Sequence, residues 1–86
     1  MENETLPIFK GKLYGVASTN LQKIGWSWDN EVNCGIMRVV FRKGSIYDYY
    51  PVSRSLFSGF FESESKGEYF QKHFVKNKAL KYNRVN

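Results

Sequence analysis

The side chains best suited to chemistry are few and scattered along this chain. His73 is its single histidine and Cys34 its single cysteine. With no second ligand or nucleophile at a suggestive spacing, His73 reads as a helix residue at the edge of the core. Cys34 lies in a run of turn formers without a histidine at motif spacing, and reads as an inert thiol. One cysteine makes neither an internal disulfide nor a Cys-rich metal site. Asp29, Glu31, Glu62 and Glu64 read as solvated, and their positions suggest no carboxylate pair for acid–base work. Lys66-Gly67 is an isolated glycine at a helix start, not a phosphate loop. The expectation is a non-enzymatic chain with no metal and no cofactor.

Binding chemistry is better represented. Residues 1–65 hold seven bases and seven acids, whereas residues 66–86 hold six bases against Glu68 alone. The whole excess of +5 therefore lies at the C-terminal end. A one-ended basic surface suits a polyanion such as nucleic acid; the plainer reading is a solvated helix face. On the first reading Lys72, Lys76, Lys78, Lys81 and Arg84 contact phosphates. Tyr82 then stacks on a base, as would Trp28 or Tyr50 if exposed. No helix carries an Arg/Asn/Gln row suited to a major groove, and Lys66-Gly67-Glu68-Tyr69 departs from the RNA-recognition-motif signature. The expected partner is RNA or single-stranded DNA. The alternative is a protein-interaction module, such as a small phage or bacterial factor that binds and modulates a host protein. A third reading makes the aromatics core and nothing more.

The elements that must position these residues follow from local pattern. Residues 1–12 read as a loose arm and 13–86 as one domain. Asn3-Glu4-Thr5 fits a glycosylation pattern by chance, because the acidic start Met1–Pro7 is no signal peptide. No stretch approaches the ~18 apolar residues of a membrane span, so a cytoplasmic location is expected. Aromatic residues make up 17% of the chain, enough to build a core in so small a domain. Ile24, Trp26 and Trp28 recur at spacing two in a strand over Leu21–Trp28. Asp29–Gly35 reads as a loop, Ile36–Arg42 as a β-branched strand, Lys43-Gly44 as a turn and Ile46–Tyr50 as the returning strand. Pro51 should end the pairing.

Two registers compete for this hairpin. A two-residue loop would set Val40 opposite Tyr47, turn Tyr47 and Tyr49 towards Arg38 and Arg42, and bury Asp48 among Met37, Val39 and Phe41. A three-residue loop with Gly44 as a left-handed bulge pairs Phe41 with Ser45 instead. Met37 then faces Tyr49, Val39 faces Tyr47, and Arg38 faces Asp48. Burying an unpaired charge costs several kcal/mol and the glycine bulge little, so the bulged register is favoured. Ser53 is a helix N-cap, with Val52 and Phe57 as a hydrophobic staple. Leu56, Phe57, Phe60 and Phe61 form an apolar stripe, weakened at Gly59 unless something packs closely there. Ser65-Lys66-Gly67-Glu68 is a capping box that starts a second helix at Lys66. Phe70 and Phe74 face inward from it and Lys72 and Lys76 outward. Leu80–Val85 trails as an extended segment. The fold class is α+β: an antiparallel three-stranded meander followed by two short helices packed on one sheet face.

The order of these residues resembles a known family. Ser18-Thr19-Asn20, Ile24-Gly25-Trp26, and Val39-x-Phe41-x-x-Gly44-x-x-Tyr47-x-Tyr49-x-x-Val52 precede Ser65-Lys66-Gly67-Glu68-Tyr69-Phe70. Together they are similar to the KTSC domain, named for its place at the C-terminus of some lysyl-tRNA synthetases and found also as a stand-alone protein in bacteria and their viruses. The resemblance runs over Val16–Val75, with Tyr47 and Tyr49 as the family's marker pair. Trp26 departs from a commoner Gly-Tyr-Asp run, and Phe74-Val75-Lys76 lacks the usual Arg. The resemblance implies an antiparallel meander followed by helices. It implies RNA binding only by association with a tRNA enzyme.

Overall fold

The Arg38–Asp48 ion pair fixes the register of the central hairpin. In the structure, a computed structural model that describes residues 6–86, Arg38 Nε and Nη2 donate to the two carboxylate oxygens of Asp48 at 2.8 and 2.9 Å. Their strands, β3 (Cys34–Phe41) and β4 (Ile46–Tyr50), pair antiparallel with Met37 opposite Tyr49 and Val39 opposite Tyr47. Phe41 N donates to Ser45 O and Gly44 N to Phe41 O, each at 2.9 Å. Gly44 has φ +107°. This is the glycine-bulged register, which puts rings on one face and opposite charges together on the other.

Strand β2 (Leu21–Asp29) pairs along the opposite edge of β3. Its hairpin is tighter than the sequence suggests, because Cys34 and Gly35 belong to β3 and Asp29 pairs with Cys34. The sheet is also larger than a three-stranded meander. Among the described residues it has five strands in sequential order, all antiparallel. A short β1 (Tyr14–Gly15) lies along β2, and the segment expected to trail after the helices is β5 (Lys81–Arg84), paired to β4. Without β5 the outer edge of β4 would present a row of unmet backbone groups. The helical excursion between β4 and β5 returns the chain to that edge.

Ser53 caps α1 (Arg54–Glu62), its Oγ accepting from Leu56 N at 3.1 Å. Ser65 caps α2 (Lys66–Phe70) by accepting from Glu68 N at 3.3 Å. Beyond α2 the helix widens into a π-turn over Gln71–Val75, closed by Lys76 N donating to Gln71 O at 3.1 Å. Phe60, Phe70 and Phe74 enter a core with Leu21, Ile24, Met37, Val39, Tyr49 and Val52. Leu56 and Phe57 pack at its margin. Phe61 does not join them: it is exposed and lies edge-on to Tyr14, 5.8 Å between centroids. Tyr69 packs closely on Gly59 and donates from its hydroxyl to Leu56 O at 3.1 Å, which docks α2 on α1.

Of the stretch expected as a loose arm, residues 1–5, including Asn3-Glu4-Thr5, lie outside the described residues. Residues 6–12 run beside β2, where Ile8 N donates to Asp29 Oδ2 at 2.8 Å and Lys10 N to Ser27 Oγ at 3.0 Å. Arg38 stacks over the Phe9 ring at 4.9 Å. Ile36, on the sheet face opposite the helices, is fully buried.

Candidate nucleic-acid interface

Where α2 and its π-turn cross the β3–β4–β5 end of the sheet, the two layers do not close. They leave an open groove of about 1950 Å³. Its base is aromatic. Tyr49 meets Phe70 and Phe74 edge-on at 5.5 and 6.2 Å, and Phe41 meets Phe70 at 5.6 Å. Tyr49 is 7% exposed, and burial, then the neighbouring Tyr82 and Tyr47, push its phenol up to about 12. Tyr47, half-buried, lies edge-on to Phe41 at 5.9 Å and forms part of the groove wall.

Strand β5 sets the outer ring. Tyr82 pairs with Tyr49 and so projects from the same face of the sheet. Its centroid lies 5.7 Å from that of Tyr49 and 6.0 Å from that of Tyr47, yet the residue is 66% exposed. Arg84, opposite Tyr47, falls on the same face. Around these rings the groove is lined by Arg42, Lys43, Lys72, Lys76, Lys78 and Arg84, with Glu68 its one acid among the described residues.

The structure thus brings together five of the six residues expected to contact nucleic acid: Lys72, Lys76, Lys78, Tyr82 and Arg84. Lys81 pairs with Tyr50, falls on the reverse face of β5, and does not line the groove. Tyr50 is half-buried there, and the exposed Trp28 stands outside the groove. Sequence reasoning missed Arg42 and Lys43, whose charge is balanced when counted along the chain. No sequence signal marks them, because it is the pairing of Lys81–Arg84 with β4 that completes the groove beside the β3–β4 turn. Asn86 joins the two regions: its Nδ2 donates to Gly44 O at 2.7 Å and its Oδ1 accepts from Ile46 N at 3.0 Å. Arg42 is held by Nε donating to Ser18 O at 2.8 Å.

Other reactive groups lie elsewhere. His73 packs on Tyr69, ring centroids 4.2 Å apart, at the core edge. Burial, and then the charge of Asp29, raise the Cys34 thiol pKa. Asp29 itself is buried, not solvated. The backbone N–H groups of Ile8 and then Glu31 hold its carboxyl below the ordinary value of 3.8. Among the described residues no group of three or more His, Cys, Asp or Glu is placed to hold a metal ion, and no helix is long and apolar enough to cross a membrane.

The family and the fold, a small antiparallel sheet with helices on one face, are shared with known proteins. The KTSC domain model matches residues 17–82, and the chain belongs to the KTSC domain family. It is similar in fold to the crystal structure of a KTSC domain protein from Yersinia pestis. The TM-score is 0.71 at 22% sequence identity, covering 90% of this chain and 100% of that one. No curated protein matches the chain.

Proposed function

We propose that this domain is a non-enzymatic module that binds single-stranded nucleic acid, RNA or DNA, in the groove between the helices and β5. The observation that carries the reading is the setting of Tyr82: an exposed ring amid six cations and one carboxylate. Cations collect phosphates without regard to sequence, and an exposed ring stacks on any base. The volume argues in the same direction. At about 1950 Å³ the groove exceeds the roughly 300–1,000 Å³ of small-molecule pockets and suits a segment of polymer.

Fluorescence anisotropy with a labelled oligonucleotide tests this directly. If each of the six cations neutralises one phosphate, log K falls with log salt at a slope of about −4. Replacing Lys72 and Lys76 together by Glu should abolish binding and leave the melting temperature unchanged, since both are exposed. Tyr82→Ala should weaken binding by about 1–3 kcal/mol, the contribution of one stacked base. Affinity that ignores salt, or a Lys72→Glu/Lys76→Glu variant that binds as well as the parent, would overturn the reading.

A further inference from the structure

Building on the nucleic-acid reading, we propose that Glu68 reads the bases held in the groove and selects strands that carry guanine. Glu68 lies on α2, is exposed, and is the one carboxylate among the described residues that line the groove with six cations. It takes neither of the partners that the local sequence offers. Lys72 stands four residues on, the favoured order for a helical ion pair, yet among the described residues the one salt bridge is Arg38–Asp48. Ser65 caps α2 by accepting from Glu68 N at 3.3 Å. Among the described residues no return bond runs from Ser65 N to the Glu68 side chain, so the capping box is half made. The carboxylate is left free at the groove wall.

A free carboxylate among those cations works against a ligand that brings only phosphates, because it repels each phosphate that the lysines and arginines gather. An ionised carboxylate only accepts hydrogen bonds, so it turns favourable where the ligand presents N–H or O–H donors. On a single strand those donors lie on the Watson–Crick edges of splayed bases and, in RNA, on the 2′-hydroxyl. Guanine sets N1–H beside its N2 amine, a pair that matches the two carboxylate oxygens. Cytosine and adenine offer one amine next to a ring nitrogen that accepts. Uracil and thymine offer N3–H between two carbonyl oxygens, which face a carboxylate unfavourably. The cations hold a strand whatever its sequence, and stacking on Tyr82 is equally tolerant, so discrimination falls to Glu68. The plainer account places Glu68 at the positive end of α2 for the helix alone, and it predicts no base preference.

Three labelled RNA hexamers at one salt concentration test this by fluorescence anisotropy: alternating guanosine–uridine, the same strand with inosine for guanosine, and oligouridine. Inosine lacks only the N2 amine and keeps the fused ring that stacks. The guanosine strand should bind at least about fivefold more tightly than the inosine strand, with oligouridine weaker than both. The deoxyribose counterparts should rank in the same order. Glu68→Gln keeps a residue competent for the capping box, so the melting temperature should be unchanged. Its effects on binding should have opposite signs. The guanosine strand should lose about fivefold, whereas oligouridine should gain about two- to threefold from the lost repulsion. Lys72→Gln should weaken all three strands alike. Equal affinity for the guanosine and inosine strands, a Glu68→Gln variant that binds every strand more tightly, or a preference that follows the sugar instead of the base overturns the reading by Glu68 while leaving the groove as the binding site. Failure of every oligonucleotide to bind overturns the nucleic-acid reading itself, and the guanine preference with it.

Discussion

Gly59→Ala should destabilise this domain, the reverse of its effect in an open helix. At an exposed helical site the exchange stabilises by about 1 kcal/mol. In α1 the added methyl would sit against the Tyr69 hydroxyl, with Tyr69 Cζ 3.1 Å and Cε2 3.4 Å away. That ring cannot simply swing clear, because its hydroxyl donates to Leu56 O and its face stacks on Phe60 at 5.6 Å. Displacing it forfeits a hydrogen bond of about 1 kcal/mol and adds overpacking of about 1–3 kcal/mol. Less the helical gain, the net loss is about 1–3 kcal/mol, a fall in Tm on the order of 10 °C for a domain of this size. Urea midpoints and thermal melts followed by circular dichroism read it, provided the denaturant slope is unchanged. Tyr69→Phe alone should cost about 1 kcal/mol, and in that background the cost of Gly59→Ala should shrink by about the same amount. If Gly59→Ala raises Tm in the parent, Tyr69 is not seated on α1. The docking that sets the lysines of the groove would then be wrong.

Gly44→Ala tests the bulge itself: nothing lies within 4 Å of the added methyl, so the expected cost of about 1–2 kcal/mol is conformational, from φ +107°. An unchanged urea midpoint would refute it. Acid stability should depend on Asp29, whose folded pKa lies below its unfolded one. Its contribution is full above pH ~4 and fades as pH falls through the lowered value, so Asp29→Asn should flatten the decline in urea midpoint over that window. Tyr49 works in the opposite sense. With its folded pKa raised to about 12 against 10.0, its contribution is full below pH ~10 and fades as pH rises towards 12. Tyr49→Phe should remove that part of the alkaline loss, read as urea midpoints taken across the same range.

Where the sequence was legible, one residue type met one local demand. Asp48 could not face Met37 and Val39, Gly44 alone could take a positive φ, and so the hairpin register followed. Ser53 and Ser65 marked helix starts because a hydroxyl at those positions accepts an orphan backbone N–H within three residues. Phe70 and Phe74, four apart, had to share the inner face. The apolar stripe of α1 is narrower than the spacing suggests, because Phe61 stays outside the core, exposed and touching only Phe57 and Tyr14 of the edge strand β1 among the rings. Asp29 was read as solvated, because the N–H of Ile8 that satisfies it comes from a segment twenty-one residues away.

The sequence by itself determined the hairpin, the helix starts and the inward Tyr49, since each depends on side chains a few residues apart, and the family resemblance, which rests on order and spacing over Val16–Val75. It also located the lysines and Tyr82 that matter, though as a charged tail instead of a site. The tertiary structure alone decided that Lys81–Arg84 is a fifth strand. Four exposed residues have too little intrinsic strand preference to declare themselves, and the open edge of β4 supplies what they lack. That pairing turns Tyr82 towards Tyr49 and Lys81 away. It also brings Arg42 and Lys43 to the groove across some forty residues of chain, a distance over which no periodicity or charge count carries information.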